Sequence, residues 1–163
     1  MIRYCKTSLV AASAFFLWIV VFNNITDYGS NFAFVENVLN MSTTFEGNKG
    51  MWRAIDSPAI HHIFYISIIL WEALAAAILS IATLKMFKAS KAPYEVFKKA
   101  KELAIMGFTI NLLQWFVAFL TVGAEWFLMW QSQEWNGQNA AGRMFMVIGV
   151  CLLFVLSKEG DED

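Results

Sequence analysis

Apolar residues fall into four long runs along the chain, at about residues 7–22, 58–84, 102–129 and 140–156. A helix needs about 20 mostly apolar residues to cross the hydrocarbon core of a bilayer, and tilt or interfacial ends absorb the remaining differences in length. Each run therefore predicts a membrane-spanning helix, and together they predict a single transmembrane domain over residues 1–163. The first run opens behind Arg3 and Lys6 and has the outline of a secretory signal. Asn23-Asn24-Ile25-Thr26 follows it, however, where a small-x-small cleavage site would stand, so it reads as an uncleaved signal anchor. The second begins sharply at Ser57-Pro58, a capping serine and then a proline at the first helical position, where a missing N–H costs nothing. Residues 23–57 are too long for a simple turn. Phe32, Val35, Val38 and Leu39 recur there at helical spacing, which predicts a short helix on the bundle or in the membrane interface.

Composition agrees with that pattern. Of 163 residues, 58% are hydrophobic and only 15% charged, against about 45–50% and about 25% in a soluble domain. Mean hydropathy is +0.52. The distribution of charge says more than the net value of −1. Lys85, Lys88, Lys91, Lys98, Lys99 and Lys101 crowd the connection between the second and third runs, and with four spans Arg3, Lys6 and Lys158 fall on the same side. Only Lys49, Arg53 and Arg143 lie on the other. The basic side is cytoplasmic by the positive-inside rule. The predicted fold is thus an all-α, membrane-embedded four-helix bundle, N-in and C-in, with a long outward-facing first loop. Trp52, Trp126, Trp130 and Trp135 gather near the outer interface as an aromatic belt. Asn24-Ile25-Thr26 and Asn40-Met41-Ser42 match the glycosylation tripeptide in the same loop.

Polar residues at membrane depth normally turn toward the bundle interior and find partners there. On the second span His61, Tyr65 and Glu72 share a helical face; on the third Asn111, Gln114, Thr121 and Glu125 do so. Antiparallel neighbours keep a nearly constant sum of residue numbers at equal depth. His61 with Glu125, Tyr65 with Thr121 and Glu72 with Gln114 each sum to 186. The expectation is a polar stripe between these two helices, rich on the outer side and ending below Asn111, with Arg143 of the fourth span placed to neutralise Glu125. Ala73, Ala76, Ala77 and Ser80 form a small face that lets a neighbouring helix approach closely.

No complete catalytic motif is present. Cys5 and Cys151 make no disulfide framework, no Cys/His cluster has zinc spacing, and neither a phosphate-binding glycine loop nor a nucleophile elbow occurs. The basic segment is explained as a cytoplasmic connection, so no nucleic-acid role follows from it. His61 and His62 are adjacent and point about 100° apart, so they cannot form a same-face metal pair. Either could ligate haem or a metal only with a partner from another helix.

The runs Thr44-Phe45, Met51-Trp52-Arg53-Ala54-Ile55, Ser57-Pro58-Ala59-Ile60-His61-His62 and Trp71-Glu72-Ala73-Leu74 carry a further signal, as do Trp135-Asn136-Gly137-Gln138 and Ala141-Gly142-Arg143. With these motifs the chain resembles a bacterial family of predicted small integral membrane proteins of unknown function. The resemblance covers nearly the whole chain and implies four spans in a bacterial inner membrane. It implies no activity. The expectation is a non-enzymatic accessory or binding protein that packs an outward-facing polar pocket or partner surface, set in the lipid bilayer beside another membrane protein or a second copy. The alternatives are a proton-linked transporter component using Glu72 and Glu125, and a redox subunit holding haem or quinone; no cofactor is expected on the leading reading.

Overall fold

The computed structural model describes residues 1–159, and no strand occurs among them. Helix α1 spans Ile2–Thr26, α2 Tyr28–Leu39, α3 Pro58–Ala89, α4 Tyr94–Leu113 and α5 Gln138–Leu156. Helix α4 runs on without a break into a π-helical segment, Gln114–Trp126. Four of these bodies are long and apolar enough to cross a membrane: Ile2–Thr26, Pro58–Ala89, Tyr94–Trp126 and Gln138–Leu156. They close a ring in which α1 packs on α3, α3 on α4, α4 on α5 and α5 on α1. The short α2 buries Val35, Val38 and Leu39 in a cluster with Tyr65, Ile69, Phe127 and Met129.

The exterior explains where such a body is stable. Phe15, Ile19 and Phe22 on α1, Ile63, Leu70 and Leu84 on α3, and Met146, Val150 and Leu153 on α5 are all exposed. Only 17–33% of each spanning window is buried inside the protein. In water these faces would form continuous apolar patches far beyond what a soluble monomer shows. In a bilayer they meet lipid, and the backbone groups of the helix interiors bond within their own helices.

Both helix boundaries of the basic connection lie further out than the apolar runs. Helix α3 continues to Ala89 and α4 starts at Tyr94 after Pro93, so most of the lysines sit on helical extensions around a tight turn. Pro58 occupies the first turn of α3 as expected, but the Ser57 hydroxyl makes no capping bond. Its carbonyl accepts from the Ile60 and His61 amides.

Helices α3 and α4 meet closely at Gly107. A methyl group there would stand 2.8 Å from Leu79 Cδ2 and from Leu79 Cγ, and Leu79 is fully buried. Leu79 and Gly107 also sum to 186, the register expected for this pair. Small residues serve the α1–α3 contact too, where Ala75, Ala76 and Leu79 share a core with Val10, Ala14 and Leu17.

The two ends of the ring are closed by different chemistry. At the end carrying α2, the Arg53 guanidinium lies 5.3 Å from the Trp52 ring centre and 5.1 Å from that of Trp126. It donates to the Trp126 carbonyl at 3.1 Å and so caps the end of the π segment. At the opposite end Arg3 donates to the Ala92 carbonyl at 2.6 Å, tying α1 to the α3–α4 turn. Beside it, Glu159 Oε1 receives Lys6 Nζ at 2.6 Å and Lys101 Nζ at 2.5 Å, with all three residues buried. Both lysines also donate to the Ser157 carbonyl. Arg3, the α3–α4 turn and Glu159 thus share one end of the bundle.

Replacing Gly107 by Ala should lower stability by about 1–3 kcal/mol, the usual cost of overpacking. Leu79→Ala should then relieve part of the loss, which thermal unfolding of both single variants and the double variant in detergent would show as non-additivity. Glu159 gives a pH test. Burial alone would push its carboxyl up, but the hydrogen bonds and charges of Lys101 and Lys6 hold it below its ordinary value of 4.5. Its stabilisation is therefore full above that ordinary value and fades as pH falls through the lower folded one. Glu159→Gln should cost about 1.5–3 kcal/mol at neutral pH. Unfolding midpoints of the variant and wild type should converge on acidification below about pH 4.

Candidate functional site

The carboxylate of Glu72 joins three helices midway along α3. Asn24 Nδ2, from the last turns of α1, donates to Oε2 at 2.7 Å. Gln114 Nε2, at the junction of α4 with the π segment, donates to Oε1 at 3.2 Å. Glu72 is 3% exposed and Gln114 fully buried. Asn24 is itself held in place: Asn31 of α2 donates to its Oδ1 at 2.7 Å, and the Tyr65 hydroxyl lies 3.2 Å from its backbone carbonyl and 3.3 Å from Oδ1. Gln114 Oε1 is buried and lacks a hydrogen-bond partner among the described residues.

This cluster borders open space. A cavity of about 290 Å³ is lined by Asn24, Asn31, Tyr65 and Glu72 on its polar side and by Phe34, Trp115 and Phe119 on its aromatic side. Next to it a second cavity of about 210 Å³ is lined almost wholly by apolar groups, among them Val38, Phe64, Val117, Val122 and Met129. Phe34, Val35, Ile68 and Phe119 border both.

The structure keeps one of the three expected α3–α4 pairs. Glu72 meets Gln114 directly. Tyr65 is buried but bonds to Asn24, not Thr121. Thr121 and Glu125 are exposed, and the Thr121 hydroxyl donates to Phe116, five residues back, at 2.9 Å. The cause is the π segment. Bonding from i to i+5 puts roughly one more residue in each turn than an α-helix holds. A face continued from Gln114 at 3.6-residue spacing drifts away from α3 within two turns. The inward positions beyond Gln114 become Phe119, which lines both cavities, and the buried Gly123 and Ala124.

The remaining candidates separate in the same way. His61 is buried with Nε2 2.6 Å from the Ile55 carbonyl, so this nitrogen carries the hydrogen, and Nδ1 lies 3.8 Å from Glu36 Oε1. His62 is exposed, stacks on Phe32 at 4.2 Å and shares a hydrogen bond with the Tyr28 hydroxyl. Both rings thus have protein partners from the segment between α1 and α3. Asn111 is buried, but it accepts from Trp115 at 3.1 Å rather than joining Glu72. Arg143 is exposed and forms no ion pair with Glu125, because the π segment has turned that carboxylate away. Toward the Glu159 end the cluster gives way to the packed Ala75, Ala76, Leu79, Ala104 and Phe108.

Asn24 and Asn31 are the site residues that periodicity in α3 and α4 alone does not reveal. The signal lies in α1, where Val10, Ala14, Leu17, Val21 and Asn24 form one buried face at helical spacing, so the last of them must point inward. Asn24 is 7% exposed and its amide is bonded to Glu72, which closes the Asn24-Ile25-Thr26 tripeptide to modification in the folded protein.

Two substitutions at position 72 have opposite expectations. Glu72→Gln keeps an acceptor for Asn24, and rotation of the Gln114 amide turns its unused oxygen toward the new NH₂. Stability should change by about 0.6 kcal/mol or less, the mean for a membrane hydrogen bond. Glu72→Leu leaves the Asn24 and Gln114 donors buried without an acceptor and should cost about 1–3 kcal/mol. Unfolding in detergent separates the two; a Leu variant as stable as wild type would mean that the carboxylate does not hold the helices together.

Comparison with known proteins agrees with the four apolar helices. No curated protein and no solved structure matches the chain. The family described as "Predicted small integral membrane protein (DUF2165)" matches residues 2–158. The chain belongs to this family of small integral membrane proteins.

Proposed function

We propose that the chain is a non-enzymatic binding protein of a bacterial inner membrane, with its termini in the cytoplasm and the Glu72 pocket opening toward the outer side. The observation that carries this reading is a buried carboxylate lining a cavity of about 290 Å³ beside three further polar side chains. A carboxylate needed only to fasten helices together would be expected against packed side chains. Orientation rests on Lys85, Lys88, Lys91, Lys98 and Lys99, all exposed at the end shared with Arg3. On that orientation α2 lies at the outer interface.

The packed layer below the pocket favours binding over proton transport. Among the described residues, the layer of Ala75, Ala76, Leu79, Ala104 and Phe108 holds no titratable group to carry a proton onward from Glu72, and Glu125 is exposed. A second copy or another membrane protein would reach the pocket protein through the exposed faces of its helices.

Native mass spectrometry of protein purified in mild detergent tests the pocket. A small-molecule adduct is expected on wild type and should be lost from Glu72→Gln, which keeps the fold. A bare wild-type protein, or an adduct that survives the substitution, would overturn the reading. Single cysteines at Ser42 and Lys91, both exposed, test the orientation: in intact cells only the first should label with an impermeant maleimide.

A further inference from the structure

The pair of cavities carries information about what the pocket takes. Glu72 sits in a low-dielectric interior with neutral partners only: Asn24, Gln114 and, one bond away, Tyr65 and Asn31. The lysine–carboxylate ion pairs among the described residues lie elsewhere, at Glu159 and Glu95. The protein thus supplies this carboxylate with two amide donors and no cation, which leaves a bound positive charge as its counter-ion. The wall of the same cavity is aromatic. Tyr65, Trp115, Phe34 and Phe119 present rings to the space that Glu72 faces, and ring faces attract ammonium groups, more strongly once water is excluded.

The adjoining cavity adds a second requirement. It holds about 210 Å³, has an apolar lining and is partly open at Ser67 and Val117, so an apolar group of several carbons fits there without losing polar contacts. Phe34, Val35, Ile68 and Phe119 form the wall that the two spaces share, so a molecule whose head lies at Glu72 would reach the apolar lobe once these side chains turn aside.

Resting on the pocket reading above, we infer that the ligand is an amphiphilic organic ammonium ion, with its cationic head at Glu72 among the aromatic rings and its apolar tail in the lobe beside Phe64 and Val122. The ammonium donates to the carboxylate lone pairs that Asn24 and Gln114 leave open. The tail displaces no ordered polar contact, since the lobe offers few. Charge and tail therefore contribute to binding separately.

Three probes separate those contributions on the full-length protein in detergent, read as shifts in the unfolding midpoint over a concentration series. Hexylamine carries both parts, hexanol the tail without the charge, and methylamine the charge without the tail. Hexylamine should act at concentrations about tenfold or more below either control. Glu72→Gln should bring hexylamine down to the level of hexanol. Ala118→Phe, which fills the apolar lobe, should bring it down to that of methylamine. Hexanol matching hexylamine on wild type would overturn the ammonium assignment while leaving the binding pocket in place, provided that Ala118→Phe abolishes both effects. No response to any probe, with a copurifying adduct still present, would also overturn the ammonium assignment alone. No response together with a bare wild-type protein would overturn the pocket as well.

Discussion

A polar side chain placed in hydrocarbon can find hydrogen bonds only within its own protein, and that constraint organises the upper half of this bundle. Glu72 accepts from α1 through Asn24 and from α4 through Gln114, so one carboxylate sets the relative depth of three spanning helices. Asn31 and Tyr65 extend the arrangement to α2 and to the first turns of α3. Each such bond is individually modest in a membrane. Their joint effect is on specificity, since sliding any one helix by a turn would strand several buried donors at once.

Away from this cluster the ring is held by shape. Helix α1 fits α3 through alanines, and α4 fits α3 through Gly107 against Leu79. These contacts are dense near the basic end and loosen toward the end carrying α2, where the helices part around two cavities. The loosening coincides with the π segment. Its wide turns place Phe119 and Gly123 along the cavity walls, where an α-helix of the same sequence would have presented Thr121 and Glu125. Wide turns of this kind recur at functional sites in other helices.

Much of this architecture was legible in the residues. The apolar runs marked the spanning helices, Ser57-Pro58 marked the start of α3, and the constant sum placed Glu72 against Gln114 and matches the meeting of Leu79 with Gly107. The register failed beyond Gln114 because 3.6-residue spacing assumes α geometry, and nothing in Gln114–Trp126 announces i to i+5 bonding. Asn24 was hidden for a related reason. It lies just past the apolar run, where polar residues usually end a span, whereas α1 continues to Thr26. Lys6 and Lys101 read naturally as charges flanking the membrane, and their burial against Glu159 depends on a contact between distant parts of the chain.

That last contact has a consequence for biogenesis. Lys6 opens α1 and its carboxylate partner follows α5, 153 residues later. While the chain is being inserted, the ammonium has no partner and is most stable reaching along its aliphatic stem to the aqueous edge of the membrane. It can turn inward only after α5 has inserted beside α1 and Glu159 has arrived. The seam at the Glu159 end thus closes last, after the Asn24–Glu72 bond and the alanine contacts have set the depth of α1 against α3. Closure of that seam distinguishes a finished bundle from one still being assembled.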